Sequence, residues 1–473
     1  MSAAPKGGGA FRRLALLASG NAAGSAILFA RNILLARLLS VEDYGIAATF
    51  ALTATLIEMA SQMGLKQLIV QSPEGDDPDF QAALQGFQFL RGVVSAAALL
   101  LLSWPIALFL GVPEIAWAYR TLAVMPLLQG LLHFDIHRLE RRGTFGPLVG
   151  STTGGAFASL VVIVPFYFLF GDWRVMLMAM ILHLGVQIGL SHLLAERRYR
   201  MRLDRAVIAH GIRFGWPLLI NGALLFLAFN GEKLIVGREL GLTALGLFSM
   251  GVTLTLTPML VVSKSVQSFF LPRLSRAQGT AYGRLTELVC NANVAGGLLF
   301  VIGTALLAPP LIPLVLGDKY APLLPYILAL AALQAVRAFK LGPSLAALAR
   351  GRTRLAMLAN LPRIAGIALA WAVLVQGGGL LSVIWIGLAA ELVGAALIYA
   401  LLARDPDLSL RPLAARAALP MALALLAPGL DAARLGAGPD LALRIAFFAV
   451  LSVMALWSAF ALCDALSVRK AQG

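Results

Sequence analysis

What most constrains this chain is the recurrence of apolar runs, each about twenty residues or longer, joined by short polar connections. At roughly 1.5 Å of rise per residue, a helix of that length crosses a hydrocarbon layer of about 30 Å. Six such runs fall near residues 14 to 38, 45 to 70, 83 to 110, 118 to 137, 147 to 170 and 175 to 194. Six more lie near 214 to 236, 245 to 270, 285 to 316, 323 to 349, 355 to 375 and 382 to 402, with a further pair near 413 to 428 and 441 to 463. The pattern predicts an all-α polytopic membrane protein of about 14 spans, and an even number puts both termini on one side. Only 13% of the residues are charged, about half the fraction usual in soluble domains.

Charge placement sets the orientation. With the N-terminus inside, the inner segments carry 23 of the 38 Lys and Arg residues, and the outer loops carry only Arg174, Arg238, Lys319 and Arg434. Basic residues in short loops resist translocation, so both termini are expected in the cytoplasm. The same rule accounts for the net charge of +15, which in a soluble protein would suggest nucleic acid. The longest polar connection, residues 195–213, is also the most basic. It is expected to separate an N-terminal six-helix bundle (1–194) from a C-terminal one (214–402), followed by an extra helix pair and tail (403–473).

The first span is more than an anchor. Asn21, Ser25 and Asn32 share one face of the helix from Leu14, and Arg31 flanks that face. An arginine at such depth costs at least about 2.5–3.5 kcal/mol on insertion scales, so it should face protein or a wet cavity. The stretch also has an echo. At a constant offset of 201 residues, Ile33 to Leu38 superposes on Leu234 to Glu239, Gly45 on Gly246 and Arg31 on Glu232. This predicts an internal repeat. Six helices per half would leave the halves in one orientation, related by a pseudo-two-fold axis along the membrane normal.

Other charges recur inside the spans. Glu58, Gln62 and Lys66 follow at i, i+4 and i+8, and Gln85, Gln88 and Arg91 at i, i+3 and i+6. Lys264 and Gln267, then Gln334, Arg337 and Lys340, and finally Glu391 continue the series. Each alone reads equally as a buried ion pair between helices. Together, Arg31, Arg91, Lys264, Arg337 and Lys340 outnumber Glu58, Glu232 and Glu391. The interior is therefore expected to be net positive and suited to an anion, with Arg31, Lys66, Arg91, Lys264, Arg337 and Lys340 as the expected substrate-binding residues. The three acids are the candidates for ion coupling, by a proton or by another cation.

Enzymatic motifs are weak by comparison. Asp77-Pro78-Asp79 and Asp405-Pro406-Asp407 have the spacing of a metal and sugar-nucleotide motif, but no soluble nucleotide-binding domain surrounds them. Asp77-Pro78 reads better as a helix N-cap followed by proline at the first helical position. No glycine-rich loop has the nucleotide-binding spacing, and no catalytic triad is apparent. His133 and His137 lie four apart without a third ligand, which favours a polar helix interface over a metal site. Cys290 and Cys463 sit in apolar segments and imply neither disulfide nor metal. The outer loops are too short for a catalytic domain. No catalytic residue, cofactor or metal is expected, and no nucleic-acid partner.

The run Ala36-Arg37-Leu38-Leu39-Ser40-Val41-Glu42-Asp43-Tyr44-Gly45 resembles the N-terminal signature of bacterial oligosaccharide flippases. These are the polysaccharide-transporter branch of the multidrug/oligosaccharidyl-lipid/polysaccharide exporter superfamily. Lys233 to Gly237 before Leu245-Gly246-Leu247-Phe248, and Leu316 to Pro322, agree with it; Glu232 stands where the family usually has aspartate. The resemblance covers spans one to twelve. It implies two bundles facing a central cavity, alternating access, and a lipid-linked oligosaccharide as substrate. It further implies that Arg31, Lys66 and Lys264 meet the substrate pyrophosphate, with membrane lipids and glycan-assembly proteins such as a polymerase as partners. A cation-coupled drug exporter of the same superfamily is the alternative, and it would favour an acid-rich interior.

Overall fold

The computed structural model describes residues 7–61 and 63–403. The expected C-terminal helix pair, Asp405-Pro406-Asp407 and Cys463 lie outside them. All regular structure among the described residues is helical, and nine helices are long and apolar enough to cross a membrane, or ten with one bent pair. The chain divides into two compact units, Met1–Gly246 and Leu247–Gly473.

In the first unit, α1 (Gly7–Leu38) and α2 (Val41–Ser61) form a pair joined by two residues. The Ser40 hydroxyl accepts from the Asp43 backbone N–H at 3.0 Å, so Ser40 caps α2 in the usual way. The expected continuous span 45–70 is broken. After Ser61 the chain leaves the helix, Gly64 takes a left-handed conformation (φ 65°), and α3 (Leu65–Gln71) begins anew. Around α3 packs a compact apolar cluster of Leu65, Leu68, Ile69, Phe80, Leu84, Phe87 and Phe134. Asp77 caps α4 (Pro78–Phe109) as the sequence predicts, accepting from the Asp79 N–H at 2.9 Å with Pro78 at the first position.

The expected span 118–137 is also interrupted, as α5 (Ala116–Thr121), α6 (Val124–Gly130) and α7 (Asp135–Arg141), with a bend of 51° before α7. Next come α8 (Gly146–Val161), its continuation α9 (Ile163–Phe170) and α10 (Arg174–Leu193); α8 packs on both α1 and α10. The connection expected over 195–213 is non-helical only over 195–204. Asp204 accepts from the N–H groups of Ala206 and Val207 and starts α11 (Arg205–Glu239) nine residues early. That helix, placed by sequence at the head of the second bundle, packs on α2, α3 and α4 in the first unit. A Cβ on Gly222 would come within 2.2 Å of the Met59 carbonyl oxygen, so α11 lies backbone to backbone with α2.

The internal repeat has a geometric counterpart in the same unit. A Cβ on Gly45 would lie 1.9 Å from the Leu242 carbonyl oxygen, and one on Gly246 would lie 2.2 Å from that of Val41. Val41 and Leu242 are themselves related by the offset of 201 residues, so the first turns of α2 and α12 (Gly241–Arg276) exchange identical contacts.

The second unit takes up most of α12, followed by α13 (Gly279–Leu316), α14 (Leu324–Ala349), α15 (Thr353–Leu358), α16 (Leu361–Val375) and α17 (Leu380–Leu402). At its centre, α14 packs on α13 and α17 and is buried along most of its length.

Candidate functional site

Two groups of charges within the expected spans stand out, one in each unit, and they differ in kind. In the second unit the charges pair with one another. Arg337 Nε donates to Glu391 Oε1 at 2.9 Å, Lys340 Nζ donates to Oε2 at 2.5 Å, and Arg363 Nη1 lies 3.5 Å from Oε1. Glu391 is 1% exposed. Arg337 also donates to Gln334 Oε1 at 3.2 Å, and Lys340 to Asn360 Oδ1 at 2.9 Å. The anion that an arginine at mid-span requires is therefore supplied by α17. Three cations converge on one carboxylate whose two oxygens are both occupied, an arrangement that holds α14, α16 and α17 together.

In the first unit, charges face space instead. A cavity of about 400 Å³ is lined by Arg31 of α1, Glu58 of α2, Lys66 of α3, Gln129 of α6, and His183 and Gln187 of α10. Arg31 is half-buried, whereas Glu58 and Lys66 are exposed. Arg31 Nε and His183 Nδ1 are enclosed with no hydrogen-bond partner among the described residues. The break at Gly64 means that Glu58 and Lys66 do not share one continuous helical stripe. They border the same cavity from two separate helices, and unwound backbone at membrane depth is tolerated where it lines a cavity.

The remaining expected site residues have other settings. Arg91 Nη1 donates to the carbonyl of Ser61 at 3.0 Å, which satisfies the last turn of α2 where it stops short. Gln85 and Gln88 donate to the carbonyls of Arg200 and Gln129, at 3.0 and 2.9 Å. Lys264 is exposed on α12, and Glu232 is buried in α11 beside Lys233. Arginines that finish helices form a pattern. Arg141 donates to the carbonyls of Val70 and Ser72 after α3, and Arg238 to those of Leu108 and Phe109 at the end of α4.

The connection from α10 to α11 is tied down rather than loose. Asp135, fully buried, pairs with Arg138 at 2.5 Å and accepts from the N–H groups of Glu196 and Arg197, while Arg138 reaches Glu196 at 2.9 Å. Arg197 donates to Gln81 and to the Asp76 carbonyl, and the Arg202 N–H to Ala82. Burial pushes the Tyr199 phenol upward. His133 stacks edge-on against His192 and lies near Tyr199, while His137 contacts Glu140, so both histidines sit in a polar interface.

Sequence reasoning missed His183 and Arg363. The signal for the first was a polar pair, His183 and Gln187, four apart on an otherwise apolar helix. Arg363 lies inside the expected span 355 to 375 but was not gathered with the other interior charges, because no second polar residue follows it at helical spacing in that span.

A family profile described as "Polysaccharide biosynthesis protein" matches residues 34–325. The chain is 24% identical over 300 residues to the succinoglycan biosynthesis transport protein ExoT of Rhizobium meliloti (strain 1021), covering 61% of this chain and 58% of that protein. It is 22% identical over 304 residues to the lipopolysaccharide biosynthesis protein WzxC of Escherichia coli (strain K12), covering 62% and 60%. The chain thus spans somewhat under two thirds of these relatives' lengths. Among solved structures, the lipid II flippase MurJ in an inward closed conformation superposes with a TM-score of 0.68 at 13% identity, covering 97% of this chain and 100% of that one. An inward-facing multidrug transporter of the MATE family gives 0.60 at 14% identity, covering 80% and 96%. At these identities the likeness is one of fold.

Proposed function

Since this chain belongs to the polysaccharide biosynthesis protein family, we propose that it is a flippase carrying a polyprenyl-diphosphate-linked oligosaccharide, or a related glycolipid, from the inner to the outer leaflet. The membrane is the bacterial cytoplasmic membrane, with both termini inside. Alternating access moves the headgroup through a wet path while the polyprenyl tail stays in lipid. The observation that carries this reading is the first-unit cavity, which Arg31 and Lys66 both line and where Arg31 Nε has no hydrogen-bonding partner among the described residues. Two cations against the single carboxylate of Glu58 favour an anion over a cationic drug, and a diphosphate suits both charge and donor geometry. Arg91, Arg337 and Lys340 act one step removed, by holding the helices that frame the path. A glycan polymerase and other assembly proteins would receive the product.

The test is delivery of lipid-linked glycan to the outer leaflet in cells with each variant at matched membrane levels. Arg31→Ala and Lys66→Ala should each lower it about tenfold or more, the scale of a lost charge-assisted contact of roughly 1.5–3 kcal/mol. Full delivery by both variants would remove the cavity from the substrate path.

A further inference from the structure

His183 is the one histidine lining the first-unit cavity, and none of the structural contacts of the other buried histidines is available to it among the described residues. Its Nδ1 is enclosed with no partner, and the ring lines the same cavity as Arg31, whose Nε is likewise orphaned. Neither atom is tied to the protein among the described residues, so packing holds both side chains and their remaining donors are left to the cavity. The backbone around them is fixed. A Cβ on Gly155 of α8 would lie 2.7 Å from the His183 carbonyl oxygen, so α8 presses against α10 at this residue, and α8 also packs on α1. Arg31 and His183 are thus presented from two helices that share a common support. One helical turn on from His183, Gln187 borders the same space, and Gln129 faces it from α6.

Resting on the flippase reading, we propose that His183 is a headgroup-contacting residue: it donates to a phosphate oxygen beside Arg31, and Gln187 and Gln129 bond the hydroxyls of the attached sugar. A phosphate group has acceptors on several sides, so a guanidinium and an imidazole can bind it at once. With no acceptor beside the enclosed Nδ1, the neutral ring carries its proton on Nε2, which is the nitrogen left to donate to a ligand in the cavity. Glutamine carries its amide to about the same reach as Nε2, whereas asparagine falls short.

The experiment measures binding of geranylgeranyl diphosphate, and of geranylgeraniol as the uncharged control, to the purified full-length protein in detergent. His183→Ala should weaken diphosphate binding about tenfold and leave the alcohol unchanged. His183→Gln should retain most of the diphosphate affinity, and His183→Asn should resemble the alanine variant. Equal loss for both probes, or an asparagine variant as good as glutamine, would mean that the ring only packs, and would overturn the proposal. Arg31→Ala separates the two levels of inference. If it weakens diphosphate binding while His183→Ala does not, His183 falls alone; if neither has any effect, the cavity reading falls with it.

Discussion

Glu391 illustrates how far one residue's neighbours decide its role. A carboxylate deep in an apolar helix invites a proton-carrying function, yet here both oxygens are held by cations from α14 and α16. Removing one partner of a buried ion pair typically costs about 3–5 kcal/mol, because the other charge is left uncompensated. Glu391→Gln should therefore lower the thermal midpoint of the purified protein by several degrees. Combining it with Arg337→Gln should recover part of that loss, since fewer cations then lack an anion. A Glu391→Gln protein with an unchanged midpoint would show that the cluster contributes no stability. Sequence reasoning assigned Arg337 and Lys340 to substrate binding and Glu391 to possible ion coupling, with an ion pair between Arg337 and an acid such as Glu391 as the alternative. The answer depends on Arg363 being carried to the same point by α16.

At the scale of elements, the breaks matter more than the helices. The apolar runs located twelve stretches that are helical in the described residues, because burial in lipid requires every backbone group to be satisfied within the segment. The interruptions were less legible. Gly64 is one glycine among 46, and nothing in the local pattern distinguishes it from glycines that sit inside continuous helix. What sets it apart is its positive φ, stabilised by α11 packing across it through Phe214 and Leu218. Alanine at this position pays roughly 1–2 kcal/mol for the left-handed backbone, with a clash against those side chains in addition. Gly64→Ala should lower the thermal midpoint and reduce glycan delivery together, since Lys66 is positioned by the turn. Normal delivery by that variant would show that the path does not depend on the break. The candidate site was legible in the same uneven way: Arg31, Glu58 and Lys66 stood out as charges in apolar surroundings. His183 did not, because a single histidine beside a glutamine is ordinary in a helix that packs on others.

For the whole molecule, orientation is the property most cheaply checked. In a cysteine-free background, Glu42→Cys should react with an impermeant thiol reagent added outside intact cells, and Arg198→Cys should react only after the membrane is opened. Reversed labelling would invert the transport direction proposed above. The internal repeat was visible as a sequence offset, but its physical meaning became clear only where the two copies touch. Each glycine of the Gly45 and Gly246 pair is pressed against the carbonyl oxygen of the residue four positions before the other. Two positions 201 residues apart are consequently one site as far as selection is concerned. A side chain at either would part the same pair of backbones, so a second substitution has little left to break. Among homologues the two positions should keep or lose glycine in step, as a single inherited character written twice in the chain.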